Sequence, residues 1–138
     1  MKHFLPLLII LVGSLFIGCS KHIQETPQQK QKIADAMKLA IDTIKEYDLV
    51  SDGSIKKNEN DFSLALIVNE STNSIKAKEL GESFVRQLKS LIPSSIEPNS
   101  LKDIGSGNYN YLIGVYGNMT NNKICMGAKV SSSRKITW

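Results

Sequence analysis

Histidine, the side chain that most often serves as a base near neutral pH, is scarce in this chain of 138 residues. The two histidines, His3 and His22, both lie close to the N-terminus. A Ser-His or Cys-His mechanism needs a histidine held inside the folded domain beside the nucleophile. We therefore predict that the protein does not catalyse a reaction through an activated serine or cysteine.

Carboxylates and glycines provide no clearer catalytic or binding motif. The 13 Asp and Glu residues would allow a facing pair, but no pair stands out, and none has the spacing of an EF-hand. The glycine segment at residues 105–107 lacks the third glycine and the lysine of a phosphate-binding loop. We predict no metal, no cofactor and no enzymatic activity; a carboxylate-based enzyme is one alternative.

The charge of the chain is mildly basic, with 17 Lys and Arg residues and a net charge of +4. This is well short of a nucleic-acid-binding arm, so no nucleic-acid partner is predicted. Lys129, Arg134 and Lys135 are assigned to a solvent-exposed last strand, where lysines block edge pairing. The alternative is that they contact phosphate-rich lipid headgroups or cell-wall polymers. Two cysteines exclude a disulfide-stapled mini-protein, and Cys125 is interpreted as a small, partly buried hydrophobic residue.

The N-terminus carries the most specific motif of the chain. Lys2 and His3 precede an apolar run at residues 4–16, which is too short to span a bilayer of about 30 Å. The run leads into Leu15-Phe16-Ile17-Gly18-Cys19, which resembles the lipobox of bacterial lipoproteins. The resemblance implies cleavage before Cys19, attachment of a lipid to Cys19 and a membrane partner through that anchor. Ser20 then implies the outer membrane, facing the periplasm, in a Gram-negative host.

Residue patterning predicts three regions: a signal peptide at 1–18, a polar tether at 19–27 and a single domain at 28–138. Apolar residues at spacings of three and four predict helices over residues 28–47 and from about residue 74 to Pro93. Alternation predicts strands at 62–69, 109–117 and 123–138, and a weaker edge strand at 55–57 after a turn at 51–54. The fold class is therefore α+β, a small, mostly antiparallel sheet with two amphipathic helices packed on it.

Strand alternation also predicts a candidate binding face. If both helices cover one face of the sheet, the other face carries an apolar centre inside a rim of lysine, serine and asparagine. Its centre comprises Ala65, Ile67, Leu112, Tyr116 and Cys125. This prediction places Ile124, Met126, Ala128 and Val130 on the core side of the last strand. In the preceding strand it places Tyr109, Tyr111, Ile113 and Val115 on the core side. An apolar centre with a polar rim is typical of a modest protein interface, and the alternative is a strip covered by a helix or a loop.

The function predicted from these features is that of a non-enzymatic binding or accessory module held at the bacterial envelope. Its expected partner is another envelope protein or a second copy of itself. One alternative is an inhibitor or immunity protein that acts against an envelope-targeting toxin or a wall hydrolase.

Overall fold

The computed structural model describes residues 23–100 and 103–138. The predicted signal peptide and Cys19 lie outside the described residues. Two helices and four strands follow one another in the order α1, β1, β2, α2, β3, β4. Their bounds are Pro27–Ile44 for α1, Val50–Asn58 for β1, Asp61–Val68 for β2, Ser74–Leu91 for α2, Asn110–Gly117 for β3 and Lys123–Lys129 for β4. The predicted α+β class is confirmed.

Helix α1 begins where the sequence provides a complete capping arrangement. Thr26 accepts a hydrogen bond from the backbone N–H of Gln29, whose side chain accepts one from the backbone N–H of Thr26. Pro27 occupies the first helical position, where its missing N–H costs nothing. The buried stripe of the helix consists of Ile33, Ala36, Ala40 and Ile44.

The strand order across the sheet is the same as the order along the chain, β1-β2-β3-β4. The two outer pairs are antiparallel hairpins, whereas β2 and β3 run parallel because α2 returns the chain to the starting end of β2. Helix α1 contacts α2 and β1, and α2 contacts β2, β3 and β4. Both helices therefore cover one face of the sheet.

Helix α2 packs closely on the centre of that covered face. Asn73 caps its first turn by accepting a hydrogen bond from the backbone N–H of Lys76. A Cβ atom at Gly81 would lie 2.8 Å from Trp138, 3.2 Å from Ile113 and 3.3 Å from Val115, so the absence of a side chain there permits the close approach.

Strand β1 is longer than predicted. The segment 51–54, predicted as a turn, lies inside the strand, which has a register shift between Val50 and Asp52. Gly53 faces the helices, where a Cβ atom would lie 3.2 Å from Ile44 and 3.3 Å from Phe84. Pairing with β2 and this close packing override the local turn preference of Ser-Asp-Gly-Ser.

The prediction for the last strand is wrong in length, and it is wrong in facing from Cys125 onward, whereas Ile124 packs against the core as predicted. Strand β4 ends at Lys129, and the chain then turns back so that Thr137 pairs with Ala128. Gly127 and Lys129 are buried on the helix side, whereas Met126 and Val130 are exposed. A bulge opposite Val115 and Tyr116 changes the alternation.

Candidate binding face

The side of the sheet that faces away from both helices forms the candidate site, which we call the open face. Strand β2 contributes Ala65 and Ile67, and β3 contributes Leu112 and Tyr116. Ile67 lies directly opposite Tyr116 in the parallel register. Leu112 is 44% exposed and the other three side chains are half-buried. The structure thus brings together four of the five residues that the sequence predicts for this face.

Tyr116 lies across the middle of the open face because Gly114 leaves room for it. A Cβ atom at position 114 would come within 2.6 Å of the Tyr116 hydroxyl and 2.8 Å of its ring. The ring therefore folds back over the backbone of β3. Beside it is a shallow depression of about 240 Å³, lined in part by Lys56, Leu112 and Met126.

Cys125, the fifth predicted residue, is not on the open face. It pairs with Val115 and packs, half-buried, against the core on the helix side. Burial raises the pKa of the thiol, and Lys78 offsets this only in part. Met126, which is 41% exposed, lies on the open face instead of Cys125 and is the register partner of Gly114.

The rim of the open face is polar on the side of β1. Ser54 pairs with Ala65, and Lys56 pairs with Ser63, so these exposed or half-exposed residues flank the apolar centre. Lys56 adds an exposed basic side chain to this rim. The arrangement can bind an apolar surface; its residues do not include a nucleophile–base pair.

A buried polar cluster beneath the loop between α2 and β3 was not foreseen from the sequence. The carboxylate of Glu97, which is fully buried, accepts hydrogen bonds from the Tyr111 hydroxyl at 2.7 Å and from the backbone N–H of Asn108 at 2.6 Å. The ammonium group of Lys89 lies 3.6 Å from the same carboxylate. Lys89 also donates to the carbonyl oxygens of Pro98 and Ser106.

Lys129 brings a second buried ammonium group to this cluster, contrary to its predicted solvent exposure. It is 1% exposed, donates to the carbonyl oxygen of Val130 at 3.2 Å and lies 5.7 Å from the centre of the Tyr111 ring. Burial lowers the pKa of Lys129, and the nearby Lys89 lowers it further. Burial also lowers the pKa of Lys89, which Glu97 offsets in part.

This cluster joins the loop between α2 and β3 to the rest of the domain. Burial and the neighbouring Glu97 raise the pKa of the Tyr111 hydroxyl, so Tyr111 remains a hydrogen-bond donor. Both oxygens of the Glu97 carboxylate already accept bonds from within the domain. Arg134, predicted to be exposed, is exposed and pairs with Asp103 on the outside of the loop at 3.1 Å.

A third polar contact lies just before α1. Glu25 accepts a hydrogen bond from the Tyr109 hydroxyl at 2.6 Å and pairs with Lys57 at 2.8 Å. Its side chain is only 5% exposed. Burial alone would raise the pKa of Glu25, but the bonds from Lys57 and Tyr109 outweigh it and hold the pKa below its usual range.

Within residues 23–100 and 103–138, no group of three or more His, Cys, Asp or Glu side chains is placed to hold a metal ion. Neither of the two described helices is long and apolar enough to cross a membrane. Compared with known proteins, the chain matches no protein-family model, no curated protein and no solved structure.

Proposed function

We propose that this protein is a membrane-anchored lipoprotein of the bacterial envelope whose domain is a non-enzymatic binding or accessory module. Cys19 carries the lipid, and the open face binds another envelope protein. In a Gram-negative host the anchor is in the outer membrane and the domain is in the periplasm. The observation that carries the proposal is the apolar row on the side of the sheet that neither helix covers.

The composition of the open face supports a protein partner. Ile67 and Tyr116 are register partners on adjacent strands, and the Tyr116 ring lies over Gly114, which is the register partner of Ala65. Leu112 precedes Gly114 by two residues on the same face of β3 and is paired with Ser63. Fully burying an aliphatic side chain of this size is worth about 1.5–3 kcal/mol. A few such contacts inside a polar rim are sufficient for a modest interface.

The buried charges support the same proposal because each has a partner inside the domain. Glu97 is bound by Tyr111 and Asn108, and Glu25 is bound by Tyr109 and Lys57. A catalytic carboxylate would need a free oxygen directed at a substrate. These contacts favour a structural role for both carboxylates.

Charge substitutions on the open face test the proposed partner surface. We expect Ile67→Lys and Tyr116→Glu to abolish co-purification of the partner from solubilised envelopes while changing thermal stability little. The matched control is Ile75→Lys on α2, because Ile75 is 71% exposed away from this face. The partner is identified by mass spectrometry and its binding is repeated with purified components.

Three results would contradict this assignment of the surface. If the two substitutions unfold the domain, the strip is part of the core. If Ile75→Lys abolishes binding equally, the effect is not specific to the open face. If size-exclusion chromatography shows that the substitutions only dissociate a homo-oligomer, the occupant is a second copy of the chain.

Cys19→Ala tests the anchor independently of the partner surface. Stable attachment requires more than one acyl chain, and a lipidated cysteine supplies them. We expect this substitution to move the protein from the membrane fraction to the soluble fraction, with Cys125→Ala as the matched control. Unchanged fractionation of the Cys19→Ala protein would contradict the lipoprotein assignment.

A further inference from the structure

The last part of the predicted polar tether, from Ile23 onward, is attached to the domain before α1 begins. Glu25 is held by Tyr109 and Lys57, and Ile23 is half-buried against the core. Thr26 is fixed as the helix cap. These contacts leave only the short stretch between Cys19 and Ile23 to connect the lipid with the domain.

The length of that stretch limits how far the domain can stand from the bilayer. Ile23 follows Cys19 by four residues, and an extended chain advances at most about 3.6 Å per residue, so their Cα atoms are at most about 14 Å apart. The eight residues of β2, by comparison, extend over roughly 26 Å. The distance from Ile23 to Cys19 is therefore shorter than the length of the sheet along its strands.

One end of the sheet surrounds the point where the chain enters the domain. Lys30, Lys57 and Glu59 line a depression together with Ile23. Asn110 then ties the neighbouring elements together, because its side chain donates to Asp61 at 2.7 Å and accepts from the backbone N–H of Ser131 at 2.7 Å. We call this region the tether end and define it by Ile23, Lys30, Asn58, Asp61, Val130 and Ser132.

We infer that the tether end rests on the lipid headgroups of the bilayer that holds Cys19, with the strands upright on the membrane. This inference rests on the proposed lipid anchor. Val130 is 57% exposed at this end and Lys30 is exposed, so an apolar and a basic side chain are available to the headgroup layer. Met119, which is 82% exposed in the β3–β4 turn, is then at the end farthest from the membrane.

This orientation deepens the proposed function because it determines where a partner approaches. The open face runs along the strands from the tether end to the far end. With the strands upright, that face is directed sideways over the membrane surface. It is then suited to a partner that is itself close to the same bilayer.

The experiment measures the depth of single labels in the full-length lipidated protein, reconstituted in vesicles of phosphatidylethanolamine and phosphatidylglycerol. In a Cys125→Ala background, a fluorophore is attached at Asn58→Cys, Ser132→Cys or Met119→Cys, all at exposed positions. Lipids that carry a spin label on the headgroup quench fluorophores at short range. We expect several-fold stronger quenching at positions 58 and 132 than at position 119.

A substitution at Glu25 tests whether its contacts set the orientation. In Glu25→Ala we expect the difference in quenching between positions 58 and 119 to shrink, because the entry segment has lost its bonds to Tyr109 and Lys57. The matched control is Glu46→Ala, an exposed carboxylate beyond the other end of α1. The folded state of each variant is verified by circular dichroism.

The outcomes separate this inference from the proposed anchor. A protein that does not bind the vesicles because Cys19 is unlipidated overturns the anchor and the inference with it. Equal quenching at all three positions in vesicle-bound protein overturns the orientation alone. If the difference in quenching between positions 58 and 119 is unchanged in Glu25→Ala, the contacts of Glu25 do not set the orientation.

Discussion

Glu97 joins three parts of the molecule at one buried point: α2, the loop that follows it and β3. Its carboxylate binds Tyr111 and the backbone of Asn108, and it faces the ammonium group of Lys89. A buried ammonium group is costly unless its charge and its hydrogen bonds are matched. Glu97 supplies the negative charge that lets two lysines remain inside this part of the domain.

Removing that carboxylate is expected to destabilise the domain strongly. Glu97→Ala removes the counter-charge of the buried Lys89 and leaves Lys129 with Asp103 as its remaining acidic neighbour. Breaking a buried pair in this way costs about 3–5 kcal/mol. Urea unfolding monitored by circular dichroism measures the loss, with the exposed Glu79→Ala as the control. A loss below about 1 kcal/mol would contradict the assigned role, because surface pairs are worth that little.

Residue patterns predicted which tyrosines face inward but not what they bind. Alternation in β3 correctly placed Tyr109 and Tyr111 on the core side, where both are buried. Their carboxylate partners, Glu25 and Glu97, are distant along the chain and carry no local signal. The burial of Lys89 was weakly indicated by the sequence, because Lys89 lies next to Leu88 and four residues after Val85 on the buried stripe of α2.

At the scale of the element, the segments that were predicted well are those whose pattern is local. Helices α1 and α2 and strand β2 each carry their own apolar periodicity, and each forms close to the predicted position. The facing of β4 is determined by distant contacts instead. A bulge opposite Val115 and Tyr116 changes the alternation, and Ile136 and Trp138 fold back onto Gly127; alternation within the strand shows neither.

Gly127→Ala is expected to destabilise the domain because the added methyl group has no space. A Cβ atom there would lie 2.5 Å from Ile136 and 2.7 Å from the Trp138 ring, and overpacking of this kind costs about 1–3 kcal/mol. Thermal unfolding measures the effect.

A double variant shows whether the indole is the obstacle. In a Trp138→Ala background the same Gly127→Ala change should cost less, since the two residues are in contact and their effects are not additive. Additive losses in the double variant would show that Trp138 does not restrict position 127.

At the scale of the whole molecule, the acid stability of the domain depends on carboxylates whose pKa values folding lowers. The pKa of Glu25 in the folded state is below its ordinary value of 4.5. Below the folded-state pKa, the Glu25 carboxyl group is protonated in both the folded and the unfolded protein. Above pH 4.5, it is ionised in both. The stabilisation from Glu25 is thus complete above pH 4.5 and is lost as the pH falls through the lower, folded-state value.

Glu25→Gln should reveal this dependence. We expect the variant to be less stable than the original protein at pH 7, and we expect the difference in free energy of unfolding to narrow in acid. Urea unfolding from pH 7 to pH 3 measures both proteins. If the difference in free energy of unfolding between the two proteins stays constant over this range, the charge of Glu25 does not contribute to stability.

The parallel pairing of β2 with β3 has a consequence for the order in which the chain folds. Each outer hairpin has a short turn, so it can form quickly from neighbouring residues. The central pair must wait until α2 and the loop held by Glu97 have brought β3 alongside β2, because closing a long connection costs entropy before any contact forms. We therefore expect the two hairpins to form first, and the step that joins them also creates the apolar row of the open face.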